Sequence, residues 1–191
     1  GAGIRVFNGT NAIYVHTNDT SRAGLMACAE QAAAAVKSGK GCVVEAFKPV
    51  CYVKPEEIRI LPTDVKAAVK AEKIRAAEAA ARRVSKEIVQ VNVGYIDHVQ
   101  DVLICNTEGV FATDRRVRTR MSVGAVASNG TEIQTGMEGP GAAMGFEIFD
   151  ERIDPEKYGE LAARQAVTML HAPLCPAGVM PVVIDNGFGG V

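Results

Sequence analysis

Tryptophan is absent from this chain and aromatic residues make up only 5% of it, while alanine is abundant, a composition that suits closely packed helices. No apolar run approaches the roughly 20 residues of a transmembrane helix, so no membrane partner is expected. Neither charge is in excess: 21 basic residues face 22 acidic ones, and mean hydropathy is near zero. That balance gives no global reason to expect a nucleic-acid or membrane surface as partner. Paired cysteine motifs are missing as well. Cys28, Cys42, Cys51, Cys105 and Cys175 are odd in number and no two stand at C-x-x-C spacing. This argues against a disulfide framework or a zinc knuckle and for the reduced thiols of a cytoplasmic protein. An initiator Met is also missing. Gly1-Ala2-Gly3-Ile4-Arg5-Val6-Phe7 opens directly into a strand-like run, and Pro181–Val191 runs a strand into a glycine-rich turn where the chain stops. The expectation is an internal piece of a longer protein.

What is present organises into an α/β (α+β) pattern. A chain of 191 residues can bury about 70% of its unfolded surface, enough for one or two packed domains. Residues 3–7 and 11–17 read as strands around an Asn8-Gly9 turn. Thr20 to Val36 reads as a helix capped by Thr20 or Ser21, with Leu25, Cys28, Ala29, Ala32 and Val36 on one stripe. Pro49, Pro55 and Pro62 mark a connection between modules. Thr63 to Ser85 is the clearest helix, with Val65, Ala68, Val69, Ala76, Ala80 and Val84 at helical spacing. The period then changes to that of strands: residues 89–95, 99–105, 110–114 and 117–127, then 132–137, form an antiparallel meander. A glycine-rich loop, Gly136 to Gly145, precedes a helix from Asp154-Pro155 to about Leu170. Pro173, Pro176, Gly178 and Pro181 link it to a final strand.

Candidate chemistry is sparse. His16 ends a strand, His98 falls in a turn and His171 ends a helix, where a cation suits the dipole; none stands in an H-E-x-x-H pattern. Arg116, Arg118 and Arg120 share one face of a strand and could bind phosphate or an acidic peptide, but the favoured reading is a solvated face paired with neighbouring carboxylates. Gly136-Met137-Glu138-Gly139-Pro140-Gly141 lacks the G-K-[ST] ending of a phosphate loop, and Pro140 removes an N–H, so it reads as a flexible connection. Cys105 and Cys175 have no evident basic partner to make a thiolate. Three Asn-x-Thr sequons, at Asn8, Asn18 and Asn129, read as turns.

Several stretches together resemble the TldD/PmbA family of metallopeptidase-related proteins. Gly1-Ala2-Gly3-Ile4-Arg5-Val6-Phe7 with Thr17-Asn18-Asp19 is similar to its G-x-G-I-R-V-F…T-N-D segment. Ile104-Cys105-Asn106-Thr107-Glu108-Gly109 with Asp114-Arg115-Arg116 is similar to its I-x-N-S-x-G…D-x-R hairpin. Pro176-Ala177-Gly178, Pro181-Val182-Val183 and Asn186-Gly187-Phe188-Gly189-Gly190-Val191 resemble its P-x-G…P-V-V…N-G-x-G-G-V run. The resemblance spans the chain in order.

It implies that the glycine turn leads into a helix carrying H-E-x-x-x-H. Two histidines and a later cysteine would hold zinc, and the glutamate would act as general base on the bound water. Residues five apart lie about 140° apart on an ideal helix, so that helix would need local distortion to aim both histidines at one metal. None of these ligands occurs in this chain. The expectation is therefore zinc in the full-length parent, none in this piece, and no catalysis by the piece alone. Its modules would be the end of the first module (1–60), a middle module (61–172) and the start of a truncated catalytic module (173–191). The parent would hydrolyse extended or unfolded peptides. A strand edge at Asn186, Gly187, Gly189 and Gly190 would bind them by main-chain pairing. The parent would form a homodimer or a heterodimer with a PmbA-like subunit. Two rivals are a PmbA-like non-catalytic partner subunit and a nucleic-acid-binding module suggested by the family's label as a modulator of DNA gyrase. Nucleic acid is disfavoured by the neutral charge.

Overall fold

The structure, a computed structural model, describes residues 1–36, 43–51 and 57–184. It divides into two compact units, one of residues 1–49 with 105–111, the other of residues 50–104 with 112–191.

In the first unit, β1 (Ala2–Asn8) and β2 (Asn11–Thr17) form an antiparallel hairpin, registered from Ala2 opposite Thr17 to Asn8 opposite Asn11. Gly9 takes φ +60° at the first turn position, a conformation glycine adopts without strain. Ile4, Val6, Ile13 and Val15 are half-buried on one face. Arg5 sits on the other, its guanidinium 5.3 Å from the Tyr14 ring centre. α1 (Arg22–Ala35) packs against the hairpin through Cys28 and Ala32. Its N-cap is Ser21, whose hydroxyl accepts from the Gly24 N–H. Of the expected stripe, Leu25 is exposed. Residues 43–47 run beside the Asn106–Gly109 turn, with the Glu45 N–H donating to Thr107 O and the Lys48 N–H to Gly109 O. That turn is built by Asn106 Oδ1, which accepts from the Glu108 and Val110 N–H groups.

The elements that follow are β3 (Lys48–Cys51), a 3-10 turn at Pro62–Asp64, α2 (Ala67–Val84), β4 (Ile88–Cys105) and β5 (Val110–Ser128). Then come β6 (Ile133–Glu138), β7 (Gly141–Ala142), α3 (Ile148–Glu151) and α4 (Pro155–Leu170). The sheet order is β3-β5-β4, with β6 and β7 also paired to β5. Along β5, Val117, Thr119, Met121, Val123, Ala125 and Ala127 alternate inward into one core with α2 and α4. The fold class is the α+β expected.

The structure differs from the sequence expectations in several places. The helix expected from Thr63 begins at Ala67, because Val65 and Lys66 are extended; Pro62 starts only the 3-10 turn. The buried face of α2 is Ala77, Ala80 and Ala81, with Val69 exposed. Lys70 and Lys73 lie near that face, with ammonium groups over the rings of Tyr95 and Phe149, so charged names hid an inward phase. Residues 89–95 and 99–105 form one 18-residue strand, and 110–114 and 117–127 one 19-residue strand. His98 lies within β4 and not in a turn. Asp97 keeps the strand intact by pairing with Lys70 at 2.5 Å, so the local polar pair is not a break. Residues 181–184 are not a regular strand. The glycine-rich stretch is no flexible connection: Gly136 lies in β6, and β7 pairs Gly141 with Arg120 and Ala142 with Thr119.

Two devices hold the second unit. Glu147 is only 1% exposed, and its carboxylate accepts from three other residues' backbone N–H groups: Gly145 at 3.0 Å, Ile60 at 2.9 Å and Arg59 at 3.4 Å. Small residues provide the other device. A Cβ on Gly159 of α4 would stand 2.2 Å from Ala77 O of α2, and one on Gly136 would stand 2.1 Å from Ala162 O.

Burial would raise the Glu147 pKa, but the backbone donors outweigh it and hold the carboxyl below its ordinary value of 4.5. Its contribution is therefore whole above that value and is lost as pH falls through the lower folded-state value. Glu147→Gln presents an NH₂ to groups that can only donate, and should cost about 2 kcal/mol or more in denaturant melts at pH 7. The gap to the native protein should narrow in acid; a pH-independent gap would show that charge is not the issue. Gly159→Ala should destabilise by about 1–3 kcal/mol, opposite in sign to the usual gain from alanine in a helix interior. Thermal denaturation checks it, and a higher Tm would overturn the close-approach argument.

Candidate functional site

The residues expected to hold peptide, Asn186, Gly187, Gly189 and Gly190, lie outside the described residues. The segment leading to them, residues 172–184, is irregular and presents Leu174, Val179, Val182, Val183 and Ile184 outward.

The histidines are not brought together. His16 lies in β2 with its ring 6.3 Å from that of Tyr14, and His98 lies in β4. His171 is the C-cap of α4 with Nε2 3.0 Å from both carboxylate oxygens of Glu87. Among the described residues, no three His, Cys, Asp or Glu side chains could hold a metal ion. The groups described do not fit a catalytic metal, so no hydrolytic step is assigned to them. Cys28 is buried, and Cys105 and Cys175 are exposed free thiols.

The arginine stripe is the solvated face expected, with Arg116 paired to a neighbouring carboxylate. Arg116 Nε donates to Asp114 Oδ2 at 2.8 Å, and its neighbour Arg115 makes a two-point contact with Asp101 at 2.6 and 3.1 Å. Arg118 and Arg120 are exposed beside Gly139, Gly141 and Ala142, where they line a depression of about 480 Å³. A second depression of about 470 Å³ lies over Asn92, Gly94, Ser122, Gly124, Thr135 and Met137. In the first unit, a cavity of about 690 Å³ is lined by Ile4, Val6, Phe7, Val44, Phe47 and the Cys105–Glu108 turn.

Sequence reasoning missed the cluster of Lys70, Asp97 and Tyr95, since Lys70 lies 27 positions before Asp97 and the polar Asp97-His98 pair reads as a break between two strands. Tyr95 packs against Phe146 and Phe149, and its hydroxyl is buried with no hydrogen-bond partner of good geometry. Burial first, and then the adjacent Asp97, push its ionisation far above the ordinary tyrosine value of 10.0. Asp97 is held low: burial opposes ionisation, but the Lys70 ammonium and the Tyr95 hydroxyl outweigh it. A tyrosine that ionises so late stays protonated and does not act as a base at neutral pH. Absorbance titration at alkaline pH should show one of the four tyrosines lagging well behind an ordinary phenol. Asp97→Asn should bring that phase to lower pH; an unchanged phase would remove Asp97 as a cause.

Comparison with known proteins places this architecture. Residues 60–170 match the PmbA/TldA metallopeptidase central domain, and residues 1–36 match PmbA/TldA metallopeptidase domain 1. The metalloprotease TldD homolog of Haemophilus influenzae is 29% identical over 201 aligned residues, covering 100% of this chain and 41% of that protein. A metalloprotease of Methanothermobacter thermautotrophicus is 35% identical over 130 residues, 68% of this chain and 28% of its own length. A Thermotoga maritima crystal structure, described as a candidate modulator of a DNA gyrase, superposes with TM-score 0.71 at 21% identity, over 92% of this chain and 39% of that one, and so shares the fold. The chain thus spans about two fifths or less of the length of these proteins. No helix among the described residues is long and apolar enough to cross a membrane. With its central-domain match covering more than half of its residues, the chain belongs to the TldD/PmbA family of metallopeptidases.

Proposed function

We propose that this chain is the non-catalytic scaffold portion of a TldD-like zinc metallopeptidase that hydrolyses extended or unfolded peptides. The observation that carries the reading is the central-domain match over residues 60–170, together with relatives named as metalloproteases. The sequence holds no H-E-x-x-x-H pattern, so the metal ligands belong to other parts of the parent. What this portion supplies is two compact sheet-and-helix units. The segment with Asn186, Gly187, Gly189 and Gly190 is proposed to bind a peptide through main-chain pairing. The parent assembles as a homodimer or with a PmbA-like subunit.

The test is made on the full parent. It should contain about one zinc per catalytic site, degrade an unfolded protein such as reduced casein, lose that activity to a chelator and regain it with zinc. A parent that binds no zinc and degrades nothing alone, but restores cleavage when mixed with a zinc-bearing family member, would replace this reading with the partner-subunit one.

A further inference from the structure

We propose that the outward face of β5, at Arg118 and Arg120, is a binding site for the carboxylate groups of an acidic extended peptide. Among the described residues of the second unit, alternate residues of β5 from Val117 to Ala127 enter the core, which leaves Arg118, Arg120, Ser122 and Gly124 on the other face. Residues two apart on a strand stand about 6.6 Å apart on the same side, so two guanidinium groups can engage neighbouring carboxylates.

The surrounding carboxylates are engaged elsewhere. Asp114 pairs with Arg116, Asp101 with Arg115, and Asp97 with Lys70. Glu138 is cross-strand partner to the inward Val123, which sets it on the opposite face from the arginines. The site is also shaped. A Cβ on Gly139 would stand 2.7 Å from Arg120 Nη2, and one on Gly141 would stand 3.0 Å from the Arg120 Cβ and Cγ. Side chains at either place would crowd the arginine, and at Gly141 also the Thr119 main-chain oxygen at 3.1 Å, so the two glycines leave Arg120 room along the sheet.

The adjoining depression continues the same face along β5. Gly124 at its floor has no positive φ, and a Cβ there would meet nothing closer than 4.0 Å. Neither backbone conformation nor packing requires a glycine there, though glycine weakens a strand. Met137, its cross-strand partner, is 71% exposed. The pair of depressions offers two cations at one end and a shallow, side-chain-poor floor beyond, which fits an extended chain with an acidic segment. A nucleic-acid strand fits less well. Only two cations are offered, where phosphate-tracking proteins use many, and no aromatic ring lines either depression.

The choice of a peptide as ligand rests on the function proposed above, but the test reads affinity alone, so its failure leaves the zinc and casein assays untouched. Fluorescence anisotropy with the full 191-residue chain would use a labelled extended peptide carrying two adjacent acidic residues, and its amide counterpart. The acidic peptide should bind about tenfold or more tightly than the amide one. The Arg118→Ala/Arg120→Ala pair should lose that preference, while Arg116→Ala, whose side chain is already paired with Asp114, should keep it. Arg118→Gln/Arg120→Gln retains the side-chain stems and should behave as the alanine pair, with circular dichroism melts matching the native chain. Equal binding of the two peptides, or an unchanged preference in the glutamine pair, would overturn the proposal. Tighter binding of a thymine oligonucleotide than of the acidic peptide would overturn it in favour of a phosphate-backbone site.

Discussion

Glu147 is the constraint on which the second unit hangs. A carboxylate removed from water is costly unless every lone pair finds a donor. Here the donors come from two places in the chain, the 59–60 segment before α2 and the 145–147 corner before α3. The Phe146 N–H in turn donates to Ile60 O at 2.8 Å, so the two segments are closed against each other from both sides. This geometry admits no Cβ at position 145, where one would stand 2.2 Å from Ile60 O and 2.5 Å from Glu147 Oε2. The cradle thereby ties the segment before α2 to the corner before α3, whose Phe146, Ile148 and Phe149 lie in the core.

The rest of the core follows from small side chains. With no tryptophan, the helices reach the sheet and each other by removing bulk: Ala77, Ala81, Gly159, Ala162, Ala163 and Ala166 are all buried at the contacts. Close backbone approach gives many weak dispersion contacts in place of a few large ones. It also makes the packing intolerant of added methyl groups, since the nearest atoms to several glycines are main-chain oxygens that cannot swing aside.

Much of this was legible in the residues. The Asn8-Gly9 turn, the Ser21 and Asp154 caps, Pro155 at the first turn of α4 and the alternation along β5 each have local causes, and each fell where the pattern placed it. What escaped depended on distant partners. Asp97 and His98 looked like a break because the lysine that satisfies Asp97 lies 27 positions earlier. The start of α2 shifted because Val65 is drawn to the core in an extended conformation, overriding the Pro62-Thr63 signal. Glu147 drew no notice, since a lone glutamate carries no pattern and its partners are all backbone. The residues expected to bind peptide fall outside the described residues, and the family came from motif order rather than from any site chemistry.

The glycines of the second unit fall into two groups with different physical reasons. Gly136, Gly145 and Gly159 are small because main-chain oxygens of the same fold press on them. Gly139 faces the Arg120 side chain, Gly141 faces that side chain and, at 3.1 Å, the Thr119 main-chain oxygen, and a Cβ on Gly124 would meet nothing closer than 4.0 Å. A stability argument accounts for the first group in full. It does not account for the second, because glycine in or beside a strand weakens it unless something approaches closely. For Gly139 and Gly141 that something includes a cationic side chain held against the sheet. For Gly124 no atom of the described residues of its own unit does so. The inward face of the sheet is specified by its own packing, whereas the outward face is shaped around an exposed cation pair and an open floor. A partner with acidic side chains and an extended backbone satisfies both of those features at once.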